Sequence, residues 1–538
     1  MRRGNSRRER HEPEGGRLVS DGGIAAGADP TLPRRNSSPA RLLALPGPVV
    51  ERFHRDTVAA VVAELAPDCV VAAPPRGNSV RAALSRGIDV PVLSPTRPGP
   101  VETIPAGDDS VLVVAAPARR RSVEGIRSVA AGDPAEREPP AAEPAHRVCL
   151  TAEVALDVDP YEREASIAGI ETYADRLPAA WLTPRTTHCS TALRAGYRAT
   201  TVVDGAEITL VGIGTTEASL GVGSSGDTGR GTLVELFPNG CSNCEDVDPA
   251  AFGLRGIRGV GEKRASVLRE AGFGTPADVA DAEPYELNDL SGFGGATTRR
   301  IRATAEARAT GTVVATGDDP LPRGEPVFID IETDGLEPST AWLVGVLDGG
   351  PEDGHYMPFT ERAPDDGSHL EAFLAWAEAN AANRPLVAWN GYSFDFPVVR
   401  DLVRKHCPER LPMWDDAYQF DPLWWARDKN GGNAALPGRS NELEAVAEAL
   451  GWEPQTTGID GSVVAKRYSA YRREWLADGA DGPVDEPDWD RLEAYCEDDV
   501  RALATIYEAL TDASRREPGA DTRSGTETST QGALSDFS

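Results

Sequence analysis

The sequence predicts an α/β chain of several parts: a C-terminal mixed sheet flanked by helices, a central all-α module, and α/β plus β-rich regions before it. Three observations carry this. At 538 residues the chain is long enough for three or four domains, taking roughly 150 residues per domain. Residues 325–513 alternate short β-branched runs with amphipathic helical spacing. Residues 254–308 hold two similar helical halves, each with a Gly-apolar-Gly turn.

In chain order, residues 1–40 are Arg-, Gly-, Pro- and Ser-rich without periodicity and read as a disordered tail. Residues 41–117 read as a small α/β unit. ERFHRDTVAAVVAELA has helical spacing, and VVAAPP, VPVLSP and SVLVVAAP are apolar runs ending at proline. Residues 118–147 read as a linker and 148–245 as a β-rich region; no catalytic constellation stands out in either half. Asp204-Gly205, between two strand-like runs, predicts a hairpin. Gly221, Gly223 and Gly226 spell GxGxxG, but a strand-like run follows where a dinucleotide site needs a helix, so the segment reads as a loop. Cys241 and Cys244 form a lone CxxC. Structural zinc there would need about two further ligands, and Cys149, His188 and Cys189 are available in the same region. Residues 514–538 read as a second disordered tail.

Composition narrows the function classes. The chain carries 85 acidic and 55 basic residues, a formal charge of −30, and its only lysines are Lys263, Lys405, Lys429 and Lys466. Acid excess with scarce lysine resembles the proteome of salt-accumulating haloarchaea. At ~1 M salt the Debye length is about 3 Å, so a diffuse basic patch attracts nucleic acid poorly and short-range contacts must do so instead. A negative total charge therefore leaves a nucleic-acid substrate open. Seven scattered cysteines form no disulfide framework, no apolar run approaches the ~20 residues of a membrane span, and the charged N-terminus lacks a signal-peptide core. The expectation is a soluble, cytoplasmic protein with no membrane partner.

The central halves are LRGIRGVGEKRASVLREAGF and LNDLSGFGGATTRRIRATAEA. Gly259 and Gly261 flank the first turn, and Gly292 and Gly294 the second. Glycine lets the backbone approach a phosphate, and the following helix N-terminus supplies amides and positive dipole. Lys263 and Arg264 follow the first turn; no basic residue directly follows the second. The region, 250–310, resembles a tandem helix-hairpin-helix module. That resemblance implies contact with a nucleic-acid backbone, more readily DNA than RNA, without sequence reading.

In PVFIDIETDGLEP, Asp330 and Glu332 are two apart on a buried-strand pattern and share a face. Two acids there are costly unless neutralised, and a hard divalent cation does this well. In WNGYSFDFP, Asn390-Gly391 turns the chain after a strand, and Asp395 sits near the start of the helix that follows. In WDRLEAYCEDDVRALATIYEAL, Tyr495 and Asp499 are four apart on one helical face, with Asp498 as the competing acid.

DIE, NGxxFD and YxxxD in this order resemble the DEDD 3′–5′ exonucleases of the ribonuclease-H-like superfamily, in the subclass with a tyrosine in the third motif. FIDIET, WNGYSFDFP and YCEDDV are similar to the exonuclease motifs of family B DNA polymerases. NELEAVAEALGW and GIDGSVVAKRYSAYRREW resemble the YprB-like group. The resemblance implies two Mg²⁺ or Mn²⁺ ions held by Asp330, Glu332, Asp395 and Asp499, with Tyr495 orienting the attacking water and Asn390 fixing the turn or touching substrate. It implies phosphodiester hydrolysis releasing 5′-nucleotides, with repair or replication proteins as partners. The alternative is a catalytically silent nucleic-acid-binding or repair-complex factor.

Overall fold

The computed structural model describes residues 38–515, leaving out 75, 85–89, 97–100, 107–108, 116–143, 160–163, 204, 215–229, 241, 336–337, 428–431, 457–460, 478–483 and 485. The terminal tails, most of the 118–147 linker, the GxGxxG segment and Cys241 thus lie outside the described residues.

The apolar run Ala40–Pro46 is a strand, pairing in parallel with Cys69–Ala73, which pairs in parallel with Val92–Leu93. Its other edge takes Gly231–Leu236 antiparallel, and that strand takes Ser242–Val247. A second sheet runs Arg198–Val203, Ala206–Gly214, Thr186–Arg194, His146–Thr151, Asp109–Ala115, Val101–Ala106. Leu42, Val71 and Leu236 of the first sheet share one buried layer with Val113, Leu150 and Val211 of the second. The division into 41–117 and 148–245 is therefore not a structural boundary, because strands from both segments interleave. A strand's sequence shows which residues face a core but not which distant strand lies beside it. The strands on either side of the expected Asp204-Gly205 turn pair antiparallel, with Val203 opposite Ala206; Asp204 lies outside the described residues.

The central helices Glu262–Glu270, Pro276–Asp281, Pro284–Asn288 and Gly295–Thr310 enclose a small core that includes Ile257, Val260, Leu268, Leu287, Phe293 and Ile301. They rest on the N-terminal unit through Glu64. Its carboxylate takes the Arg308 guanidinium at 3.1 Å and the Gly253 amide at 3.0 Å.

The C-terminal sheet has the order His355–Thr360, Ala341–Asp348, Val327–Thr333, Leu386–Val387, Gln419–Phe420. The first three strands are antiparallel, and the last two run parallel to Val327–Thr333. Alternation along the central strand sorts its side chains. Val327, Ile329 and Ile331 pack with Phe373, Val399 and Trp414 on one face. Phe328 packs on the other, against Val500, Leu503 and Tyr507 of the long helix Trp489–Arg515. Asp330 and Glu332 therefore stand on the face this helix covers. The Tyr-rich helix Gly461–Trp475 is anchored by Tyr468, whose ring stacks on buried Trp342 with centroids 4.9 Å apart. Among the described residues, no helix is long and apolar enough to cross a membrane.

Candidate active site

Three elements converge on the central strand. The strand supplies Asp330 and Glu332, the start of the helix Asp395–His406 supplies Asp395, and the helix Trp489–Arg515 supplies Tyr495 and Asp499. Glu332 and Asp395 are buried, at 6% and 4% exposure, while Asp330 and Asp499 are half-buried. All four acids are harder to ionise than an ordinary carboxyl. Burial is the largest cause for each, and the neighbouring carboxylates add to it. Asp330 is pushed up to about 7, held there against the opposing pull of hydrogen bonds from the Cys496 thiol and the Ile331 amide. The same amide also reaches Asp395. Tyr495 is raised by burial and then by Asp499, Glu332, Glu444 and Asp330, so its hydroxyl keeps its proton.

The two neighbouring acids of the long helix have different tasks. Asp498 is tied to the loop before the Tyr-rich helix, accepting from the Thr456 amide at 2.7 Å and the Gln455 amide at 3.1 Å. Asp499, raised first by burial, lies near enough to Asp330, Glu444 and Glu332 for their charges to raise it further.

Three residues near the site were not singled out from sequence. Cys496 puts its Sγ 3.7 Å from Asp330 Oδ2, and ligand atoms of Asp330, Glu332 and Cys496 lie within 4.8 Å of one another. Its thiol is raised well above normal by burial and the adjacent acids, so it stays protonated beside them. Glu444, on the helix Leu443–Ala449, contributes to the raised pKa of Asp330, Glu332, Tyr495 and Asp499. Asp421 organises the WNGYSFDFP turn. Its carboxylate accepts from the Tyr392 amide at 3.3 Å and the Trp424 amide at 3.0 Å, and also from the Asn390 amide. The signal for Asp421 was present as Asp-Pro, an N-cap followed by proline at the first helical position. Glu444 and Cys496 reach the site only through tertiary packing.

The turn explains its own composition. Asn390 adopts a left-handed conformation (φ 58°), which asparagine tolerates better than most residues. A Cβ on Gly391 would come within 2.7 Å of both Ala388 and the buried Phe396 ring. Tyr392 remains exposed and meets exposed Trp424 edge to face at 5.7 Å. Asp421→Ala is expected to leave the fold intact but loosen this turn, since it frees several amides at once. Activity should fall about 10–100-fold, on the scale of losing a supporting contact, as measured by initial rates of oligonucleotide cleavage.

In the central module the two turns repeat one geometry. Gly259 and Gly292 have positive φ, 91° and 86°, and Gly261 and Gly294 are the N-caps of the helices that follow. A Cβ on Gly261 or Gly294 would meet nothing within 4 Å, so the packed protein itself has no need of glycine there. Lys263 is exposed beside the first turn. Arg264 instead turns inward, donating to the Gly259 carbonyl at 2.6 Å and the Gly292 carbonyl at 3.1 Å, and so ties the two turns together. Gly261→Ala is expected to cost under about 1 kcal/mol of stability. It should weaken oligonucleotide binding about 3–10-fold by obstructing the approach to the helix N-terminus, measured by anisotropy beside a thermal melt.

Cys241 lies outside the described residues, and among those described no metal-ligating cluster joins Cys244 to Cys149, His188 or Cys189. Cys149, His188 and Cys189 are buried within the second sheet, where His188 Nδ1 meets the Tyr173 hydroxyl at 3.0 Å, and Cys244 lies on a strand of the first.

Residues 327–511 match the family described as RNase_H superfamily, and residues 253–307 match the SAM-like Helix-hairpin-helix tandem. The C-terminal part is thus an RNase H-like domain preceded by a helix-hairpin-helix module. Curated proteins yield no match. Among solved structures, E. coli exonuclease I in complex with a dT13 oligonucleotide is similar at 15% identity, over 35% of this chain and 41% of that one, with a TM-score of 0.20. A product-bound structure of exonuclease I is similar at 15% identity, over 35% of this chain and 45% of that one, also at 0.20. The chain spans less than half the length of each. The two domain matches together support a nuclease acting on nucleic acid.

Proposed function

We propose that the protein is a metal-dependent 3′–5′ exonuclease of DNA or RNA. The observation that carries this reading is the convergence of Asp330, Glu332, Asp395, Asp499 and Tyr495, from three separate elements, around the strand Val327–Thr333. Four carboxylates held close enough to raise one another's pKa form an all-oxygen donor set that suits hard divalent cations such as Mg²⁺ or Mn²⁺. Two such cations would supply activation of water and neutralisation of charge on the leaving 3′ oxygen.

The residues of the chain do the remaining work. Asp330 and Glu332 hold their places on a rigid strand, Asp395 is fixed by the turn that Asp421 supports, and Asp499 is presented by the helix covering them. Tyr495, with its proton retained, is a hydrogen-bonding partner that orients the attacking water. The exposed rings of Tyr392 and Trp424, next to the Asp395 turn, offer a surface on which a base can stack. The helix-hairpin-helix turns hold the backbone of the same nucleic acid.

The test is cleavage of 5′-end-labelled single-stranded DNA and RNA in molar KCl with Mn²⁺ or Mg²⁺, wild type beside Asp395→Ala. A ladder of successively shortened 3′ ends made only by the wild type supports the proposal and selects the sugar. Binding of either polymer without cleavage would show a silent binding factor instead.

A further inference from the structure

We propose that an arginine-lined cleft between the helix-hairpin-helix module and the RNase H-like domain holds the phosphodiester backbone of a single nucleic-acid strand and leads it to the acid cluster; this rests on the nuclease reading above. The cleft has a volume of about 510 Å³ and is walled by Arg258, Arg299 and Arg300 on one side and Arg427 and Arg439 on the other. That volume suits a nucleotide or two of a single strand.

The charge pattern is unusual for this chain. Its formal charge is −30, and acids outnumber bases 85 to 55. Yet among the described residues no acid lines this cleft, and none of the five arginines has an ion-pair partner within 4 Å. By contrast, Arg308 nearby is paired with Glu64, and Arg255 with Glu262. Arg427 loses its proton more readily than usual, through burial and then through the facing charge of Arg258. Two guanidiniums from different domains thus repel across a gap in which no described residue places an anion. A phosphate between them would relieve that repulsion, and arginine presents a fork that matches phosphate oxygens.

The lining includes Ala296, in the first turn of the helix capped by Gly294, so the second hairpin borders the cleft. The lining also includes Asn441, whose carbonyl accepts from Trp389 Nε1 at 2.9 Å, and Trp389 begins the WNGYSFDFP turn. Arg427 itself closes the short helix Pro422–Ala426, and the N-cap of that helix is Asp421, which holds the same turn from its other side. The cleft therefore joins the hairpin to the turn that presents Asp395. The arginines sit opposite one another at short range, so the contact survives salt that would screen a diffuse patch.

The experiment uses the full chain in EDTA, so that no hydrolysis intervenes. The double variant Arg299→Glu/Arg300→Glu changes an exposed helix face. It is compared with wild type for anisotropy of labelled 20-nucleotide single-stranded DNA and RNA and a 20-base-pair duplex, with a thermal melt as control. Arg427→Gln tests the opposite wall. Each variant is expected to weaken single-strand binding at least tenfold and to flatten its salt dependence. Loss for both polymers supports phosphate recognition; loss for one alone supports the cleft and selects the sugar. Unchanged single-strand affinity in both variants, or a loss confined to the duplex, overturns the proposal. Cleavage by wild type in Mn²⁺ is assayed in parallel. A ladder with unchanged variant binding removes the cleft alone, whereas weakened binding with no ladder removes the nuclease reading and leaves the cleft.

Discussion

Replacing Asp330 with asparagine is expected to abolish phosphodiester cleavage while making the metal-free protein more stable at pH 8. The first half follows from position: Asp330 touches or repels every other member of the cluster, and the shape of the side chain is kept while its charge is lost. A fall of at least ~10³ in rate, about 4 kcal/mol of transition-state stabilisation, is the scale for removing a group aimed at the reacting centre. The second half follows from linkage. An unfolded aspartate ionises near pH 3.9, whereas Asp330 in the fold ionises at about 7, and Glu332, Asp395 and Asp499 are raised as well. Between those values the folded state binds more protons than the unfolded state. Metal-free stability therefore falls as pH rises from about 4 through 7 and beyond, as each raised group is forced to ionise in the fold. Asparagine at 330 removes one of these charges and relieves its neighbours. In EDTA, the melting temperature of the wild type should fall between pH 5.5 and 8 more steeply than that of Asp330→Asn. Mn²⁺ should raise the wild type most at pH 8, because its ligands must be deprotonated to bind. A variant that is less stable than wild type at pH 8 in EDTA would show that the four carboxylates are neutralised within the protein itself.

The parts of the site that sequence made legible share one property: they are set by local geometry. Asp330 and Glu332 are related by the two-residue period of a strand, Tyr495 and Asp499 by the turn of a helix, and Asp395 by a turn followed at once by a helix. The paired glycines of the central module are legible for the same reason, since Gly259 and Gly292 need positive φ in equivalent places. What escaped the sequence comes from packing between distant elements. Glu444 looks like any acid on an exposed helix until that helix is laid beside Trp489–Arg515. Arg264 looks like a phosphate ligand until both hairpins are folded and their carbonyls face it. The N-terminal half shows the same limit on a larger scale. The strand-like run after the GxGxxG segment is legible, but its pairing with Ala40–Pro46 joins segments far apart in the chain, and nothing local encodes it.

Asp330 lies opposite Gly345 in the neighbouring strand. A Cβ on Gly345 would lie 2.3 Å from Cys496 Sγ and 3.2 Å from the Tyr356 ring. Gly345 thus lets the long helix sit close enough to the sheet for Cys496 to reach Asp330, and the same helix carries Tyr495 one residue before and Asp499 three residues after. Gly345→Ala should push that helix outward rather than move the strand, which is hydrogen-bonded on both sides. Overpacking of this kind costs about 1–3 kcal/mol. The larger effect should be on activity, because displacing Tyr495 and Asp499 by even about 1 Å misaligns them with Asp330, and errors of that size cost roughly 100-fold. Adding Cys496→Ala removes the sulfur that the new methyl meets. The double variant should regain most of the stability and at least tenfold of the lost rate, while Cys496→Ala alone should cost far less activity than Gly345→Ala. Full activity in Gly345→Ala would mean that the helix can retreat without moving its functional side chains. Failure of the second substitution to restore anything would place the collision at Tyr356 instead, whose hydroxyl is tied to the Glu493 carbonyl of the same helix at 3.0 Å.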